Sequence, residues 1–417
     1  MAKTKKNTQK EMWLKGDKSL WSLILVFSLL SLVFVYSSSS RQAVMENTTT
    51  FSIMLKQMRH IFLGLLIVYV AHIFPLGFYR KMAYIAYVAG LILLVYTLFG
   101  GVTLNDSTRW LSIAGFRFQP SEFAKIFLVL FVAKVLEDRE MSSFKEFFLW
   151  LFLPVAVFIL PILWAGFSTG VLLGLTVLVM MLVSKIKFRY IASAVGIVVL
   201  AAGLSYGGMV LHRTIKKSDH TSLASTSRLA TVEKRISSFF GSEKGKEGEE
   251  KEETDQEMYS KVAIATGGIG GKLPGNGTLR EVLPLSNSDY IFSIIVEETG
   301  LFGGIAVISL YMWLLYSVIL LVRKCTKTFS AMLVSGLGIL ILSQAMIHIL
   351  VNVGVLPVTG QTLPLISLGG SSVMAVGLAF GMMLSVSRAL EEERLYTMEL
   401  TEKEKQQWLP NEAEEGI

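Results

Sequence analysis

Apolar runs recur along this chain so regularly that they decide the class of fold before anything else is read. Stretches at about 20–36, 59–75, 82–99, 122–136, 147–164, 168–184, 190–211, 290–322, 331–352 and 368–387 are predominantly apolar. A run of roughly 20 such residues is what a helix needs to cross a hydrocarbon layer about 30 Å thick. Inside that layer the backbone must satisfy its own hydrogen bonds, so each run reads as a helix. The expectation is an all-α polytopic membrane protein of about ten transmembrane helices. Hydrophobic residues make up 52% of the 417 and charged residues only 17%, with a mean hydropathy of +0.56, which argues against a pair of soluble domains.

Charge then orients the bundle. Residues 1–18 carry six lysines and read as a basic tail held near anionic headgroups. Lys185, Lys187, Arg189, Arg323, Lys324 and Lys327 fall in loops on the same side, which predicts both termini in the cytoplasm. Residues 19–390 form the membrane domain, 391–417 a charged cytoplasmic tail, and 212–289 one long extracellular loop. Leu20 to Tyr36 follows a basic region and competes as a signal peptide, but its length favours an uncleaved first helix. The net charge of +7 sits at the ends of apolar runs, so no nucleic-acid partner is expected. The single cysteine, Cys325, excludes an intrachain disulfide.

Within the long loop, residues 241–257 are low-complexity and highly charged, and read as a disordered insert. The segment before it, with Arg228, Lys234 and Arg235, reads as an amphipathic interfacial helix. After it, Thr266 to Gly300 packs seven glycines and two prolines into a loop that delivers Asp289 to the start of an apolar helix. Two readings stand there: Asp289 as a helix N-cap, or as a reactive carboxylate at a membrane edge. A phosphate loop is excluded, because Thr266 and Leu273 stand where Gly and Ser or Thr are required.

Three further features carry chemistry. Lys125 lies inside an apolar run, where an ammonium demands a partner or water. Trp110, beside Arg109 in the outward loop 100–121, is an interfacial anchor or a substrate contact. Gln344, His348 and Asn352 are spaced by four and share one helix face, either bonding to another helix or lining a groove. The prolines and glycines of Gly354 to Ser372 forbid a straight helix, so that segment caps the outer face.

The segments TRWLSIAGFRFQPSEFAK (Thr108 to Lys125), LPLSNSDYIFSIIVEETG (Leu283 to Gly300) and NVGVLPVTGQTLPLISLGGSS (Asn352 to Ser372) together resemble the SEDS family of bacteria, named for shape, elongation, division and sporulation. The basic N-terminal extension and charged tail resemble its division member more than its elongation member. The resemblance implies a peptidoglycan glycosyltransferase of the bacterial inner membrane, acting at the septum. It would polymerise lipid II beside a class B penicillin-binding protein, a transpeptidase, and other division proteins, surrounded by membrane lipid. It also implies that Asp289 is the essential carboxylate and that Trp110 matters for activity; Glu122, Asn352, Gln361 and Ser371, within the motifs, are expected substrate contacts. Two departures stand out. Leu285 and Asn287 replace a Glu and a His usual in relatives, and Gly166 replaces an Asp that would pair with Lys125, leaving that lysine freer to meet an anionic substrate.

Joining two lipid-linked sugars requires a base for the acceptor hydroxyl, an anion clamp for the leaving pyrophosphate and a lipid groove. One carboxylate suffices, because pyrophosphate leaves without full protonation. Arg109, Lys125, Arg228, Lys261 and Lys272 are the clamp candidates, Lys125 first. A divalent cation, magnesium or manganese, is the one candidate cofactor, although the sequence has no dedicated ligand cluster. The rival readings are a lipid II flippase, with Glu297 and Glu298 relaying protons, and a noncatalytic scaffold. The topology has its own test: a cysteine placed at position 245 reacts with a membrane-impermeant maleimide in intact cells, and reaction only after permeabilisation contradicts an external loop.

Overall fold

The computed structural model describes residues 15–104, 107–113, 116–184, 186–215, 249–283 and 285–407. Helix α1 (Lys18–Ser38) starts where the Asp17 carboxylate accepts from the amides of Ser19, at 2.8 Å, and Leu20, at 3.4 Å, the usual N-cap arrangement. A short α2 (Ser40–Met45) leads to α3 (Thr50–Ile73) and α4 (Leu76–Gly100). Helix α5 (Pro120–Asp138) opens on a proline, where a missing N–H costs nothing. Helix α6 (Phe144–Phe147) runs through a π turn, Phe148–Phe152, into α7 (Leu153–Ala165), and α8 (Phe167–Val183) and α9 (Phe188–Ile215) follow. After α10 (Glu249–Gly267) come α11 (Ile291–Lys324), α12 (Thr328–Asn352) and α13 (Gly370–Gln407).

Each apolar stretch picked out in the sequence is helical, and among the described residues seven helices are long and apolar enough to cross a membrane. Helix α5 falls outside that set because it carries Glu122, Lys125, Lys134, Glu137 and Asp138. Helices α12 and α13 form the centre, with 61% and 72% of their apolar windows buried against 22–39% in the other five. The segment ahead of α1 meets α13 at one end of the bundle, where the Gly16 amide donates to Glu391 Oε2 at 3.0 Å and Lys15 lies 3.6 Å from Glu392. Cys325, in the loop before α12, is half-buried, which pushes its thiol up to about 11 and leaves it a poor nucleophile at neutral pH.

Four expectations are corrected. Helix α3 begins at Thr50, nine residues ahead of the run at 59, because the Thr49 hydroxyl caps the Ser52 amide at 3.2 Å. The outward loop 100–121 holds a three-stranded antiparallel sheet, β1 (Val102–Leu104), β2 (Ser107–Ile113) and β3 (Phe116–Phe118), in order β1-β2-β3. Its sequence alternates Trp110 and Ser112 with Leu111 and Ile113, a strand period too short to register beside the helices. The charged stretch 241–257 is helical from Glu249, since its Glu, Lys and Gln are good helix formers continuing into the buried Ser260 and Ala263; residues 241–248, like the segment with Arg228, Lys234 and Arg235, lie outside the described residues.

The fourth correction positions the site. Helix α11 breaks at Gly300, with φ +69° and ψ −168°, giving a short helix over 291–299 and a long one over 301–324. A break strands carbonyls that need donors. The glycine turn after α10 supplies them: Lys272 N–H donates to Glu297 O at 3.0 Å and Leu273 N–H to Glu298 O at 2.8 Å, while Leu301 N–H returns a bond to Gly268 O at 2.9 Å. The backbones approach so closely that a Cβ on Gly300 would stand 2.2 Å from Ile269 O, and one on Gly271 2.4 Å from Glu298 O. Gly300→Ala therefore meets both a positive-φ, extended-ψ conformation essentially restricted to glycine, costing about 1 to 3 kcal/mol, and a backbone collision. The expected result is a clearly lowered thermal midpoint in detergent; an unchanged midpoint contradicts the break.

Candidate active site

Asp289 is delivered by a turn that the sequence makes unusual. Leu285 sits at φ +56°, a strained region for leucine, and its carbonyl accepts from the amides of Ser288, Asp289 and Tyr290 at 3.1, 3.0 and 3.3 Å. One side of this turn is strapped to the far end of α1 and to α2. Ser286 Oγ donates to Ser38 O at 2.8 Å, Asn287 Nδ2 donates to Ser39 Oγ at 3.0 Å, and Asn287 also donates to Gln42 Oε1. The other side is strapped to the segment between α12 and α13, where Leu368 N–H donates to Asn287 O at 2.8 Å and Ser367 Oγ to Ser288 O at 2.7 Å. Tyr311 holds that segment from beneath through Pro364 O at 2.6 Å. The half-buried Asp289 reaches the surface beside exposed Gly360, whose Cβ position lies 3.7 Å from Oδ2.

The other motif arrives through α5. The Gln119 amide donates to Ser371 Oγ at 2.9 Å, tying the exit of the sheet to the start of α13. Deeper in the bundle Lys125 Nζ donates to Glu122 Oε1 at 2.9 Å and to Gln344 Oε1 at 3.2 Å. The three sequence motifs thus meet at the end of the bundle opposite the Gly16–Glu391 contact.

The expected residues divide in two at this point. Lys125 is 2% exposed and already ion-paired with Glu122 one turn away, so the loss of an Asp at 166 does not leave it free. Lys272 pairs with buried Glu297 at 2.7 Å, and Lys261 pairs with Glu257 at 2.6 Å. Glu297 also accepts from Thr278 N–H at 2.9 Å, and Glu298 accepts from Ser37 Oγ and from Gly275 N–H at 3.2 Å. Both carboxylates anchor the loop 272–281, a structural duty that competes with proton relay. Gln361 Nε2 donates to Thr169 Oγ1 at 2.8 Å and its carbonyl meets His348 Nδ1 at 2.7 Å. Asn352 is wholly buried and bonds to Ser293 and to the Asp289 carbonyl, so it faces the carboxylate's backbone from inside the protein. Trp110 lies half-buried on β2, paired with Val102; the Arg109 side chain and all of Arg228 lie outside the described residues. Among those described, no three His, Cys, Asp or Glu side chains group closely enough to hold a metal ion.

Sequence reading missed Ser37, Ser38, Ser39 and Gln57, all buried. Gln57 Nε2 donates to Ser31 Oγ at 2.8 Å and to Ser367 O at 3.3 Å. The run of serines ending α1 was the available signal. His60, on α3, also packs against the start of α13, its Nε2 lying 3.1 Å from where a Cβ on Gly370 would be.

Residues 17–392 match the cell cycle protein family of FtsW, RodA and SpoVE. A probable peptidoglycan glycosyltransferase FtsW of Hydrogenovibrio crunogenus is 31% identical, covering 89% of this chain and 91% of that protein. Stage V sporulation protein E of Bacillus subtilis is 28% identical, covering 89% and 97%. Among solved structures, a chain of a peptidoglycan synthase complex described as coordinating polymerization and crosslinking superposes with a TM-score of 0.68 at 24% identity, covering 91% of this chain and 99% of that one. Thermus thermophilus rod shape determining protein RodA gives 0.62 at 24%, covering 90% and 98%.

The Lys125–Glu122 pair yields a test of burial. Removing one partner of a buried pair costs about 3 to 5 kcal/mol, because the other charge is left uncompensated. Lys125→Met is expected to lower the thermal midpoint strongly, and Lys125→Met with Glu122→Gln to recover most of the loss. Equal midpoints for the single and double variants contradict the pairing.

Proposed function

The chain belongs to the FtsW, RodA and SpoVE family of cell cycle proteins, the SEDS family, and is most like FtsW, and from that premise we propose that it is a peptidoglycan glycosyltransferase polymerising lipid II at the outer face of the bacterial cytoplasmic membrane during division. The observation that carries the reading is that the three motif-bearing segments meet at the end of the bundle where Asp289 stands, tied by the Gln119–Ser371, Leu368–Asn287 and Ser367–Ser288 bonds. Asp289 takes the proton of the acceptor hydroxyl as its oxygen bonds to the anomeric carbon of the donor. The bond from that carbon to the pyrophosphate oxygen breaks, and its electron pair leaves with the lipid pyrophosphate. A single displacement of this kind inverts an α-linked donor to a β-linkage.

With Lys125 and Lys272 engaged in ion pairs, the pyrophosphate is better served by the start of α13. There the amides of Gly370 and Ser371 open a long helix, an end that favours anions, and His60 on α3 packs against it. The flippase reading leaned on Glu297 and Glu298, and both hold the loop 272–281. The partner is a class B penicillin-binding protein, in keeping with the synthase complex whose chain shares this fold.

The test is polymerisation of labelled lipid II by purified wild-type protein and by Asp289→Asn, with and without the transpeptidase. The Ser293 amide that an N-cap would serve is bonded to Asn352, so the substitution should leave the fold intact. The expected loss of polymer is on the order of 10²- to 10⁴-fold. Near-equal polymer from both proteins ends the assignment of the base, and wild type that makes none under any condition favours a flippase.

A further inference from the structure

Helix 291–299, the element that begins immediately after Asp289, takes the partner for its third amide from another helix. Its N-cap residue is Tyr290, whose side chain makes no capping bond. The orphan amide of Ser293, the third residue of the helix, is one that a capping side chain in the same segment would ordinarily take. Here it donates to Asn352 Oδ1 at 3.1 Å, and Ser293 Oγ donates to the same oxygen at 2.8 Å. Asn352 is the last residue of α12, a separate helix.

The other arm of the same amide works on the opposite side of the junction. Asn352 Nδ2 donates to Asp289 O at 3.0 Å and to His348 O at 2.9 Å. Its main-chain carbonyl accepts from Ser260 Oγ at 2.8 Å, and Ser260 Oγ lies 2.6 Å from Ser293 Oγ, so α10 closes the cluster. Both polar atoms of the side chain are thus committed, and the residue is wholly buried. That excludes it as a direct contact for substrate in this arrangement.

We infer that Asn352 is a positioning residue, a helix cap supplied in trans that grips the first turn of helix 291–299 with its oxygen and the Asp289 backbone with its nitrogen, and so sets where the Asp289 carboxylate stands. The inference rests on the reading of Asp289 as general base. Carboxylates at this kind of junction drift when their backbone is released, and a misplacement of about 1 Å can cost on the order of a hundredfold in rate. The titratable groups around Asn352 are Asp289 on the turn, His348 one helical turn back, and Lys261, whose side chain crosses Gly354 next to Ser260.

The experiment measures turnover and KM for lipid II polymerisation in wild type, Asn352→Ala and Asn352→Asp, across pH. Polymer from wild type establishes the underlying reading first; its absence defeats that reading and the inference with it. With wild type active, Asn352→Ala should keep KM within about threefold while turnover falls ten- to a hundredfold. Asn352→Asp should also lose turnover at neutral pH, since a carboxylate repels the Asp289 carbonyl. Its turnover relative to wild type should rise as pH falls, because the protonated acid regains an O–H donor for that carbonyl. Unchanged turnover overturns the inference, and so does a raised KM with turnover kept, which means direct substrate contact. If Asn352→Ala does not fold, Asn352→Asp decides: a loss equal at every pH, with a lowered thermal midpoint, means a packing role only.

Discussion

A backbone that leaves helical geometry within a membrane bundle must find partners for every N–H and C=O it frees. The structure around Asp289 is an answer to that requirement. Helix α11 breaks at Gly300, and the freed carbonyls of Glu297 and Glu298 are met by the amides of Lys272 and Leu273. The side chains of the same two glutamates then hold the loop that follows, through Thr278 and Gly275. A turn that would otherwise be a flexible connector becomes part of the bundle, and the short helix 291–299 stands at a defined height with Asp289 just ahead of its first turn.

The same accounting explains why the cations of this region are so little available. An ammonium or carboxylate removed from water needs an opposite charge or several hydrogen bonds. Lys125 has Glu122 and Gln344, Lys272 has Glu297 and Thr278, and Arg280 donates to Ser37 O at 3.0 Å while lying 4.0 Å from Glu298. These charges hold elements together.

Much of this was legible in the sequence, and what was not has physical causes. Hydropathy located the helices because a bilayer demands long apolar runs, and the Pro and Gly content of 354–369 marked the irregular segment that braces Ser288 through Ser367. The Gly300 break was hidden because a glycine flanked by Thr299 and Leu301 in an apolar run reads as helix until the turn at 267–271 packs on it. The Lys125–Glu122 pair is visible in its spacing of three, which places both side chains on one helix face. Nothing local to Ser37 to Ser39 says that a hydroxyl at a helix end will be buried against a turn 248 residues away. That pairing exists only in the fold.

The pH dependence of single-turnover lipid II consumption tests most directly the proposal that one carboxylate, Asp289, is the general base. With enzyme in excess and the protein in lipid nanodiscs, the rate should fall on the acid side with unit slope, as one group takes one proton, and that limb should vanish in a protein whose residue 289 cannot ionise. A slope of two, or a rate indifferent to acid down to the limit of folding, would contradict a single general base.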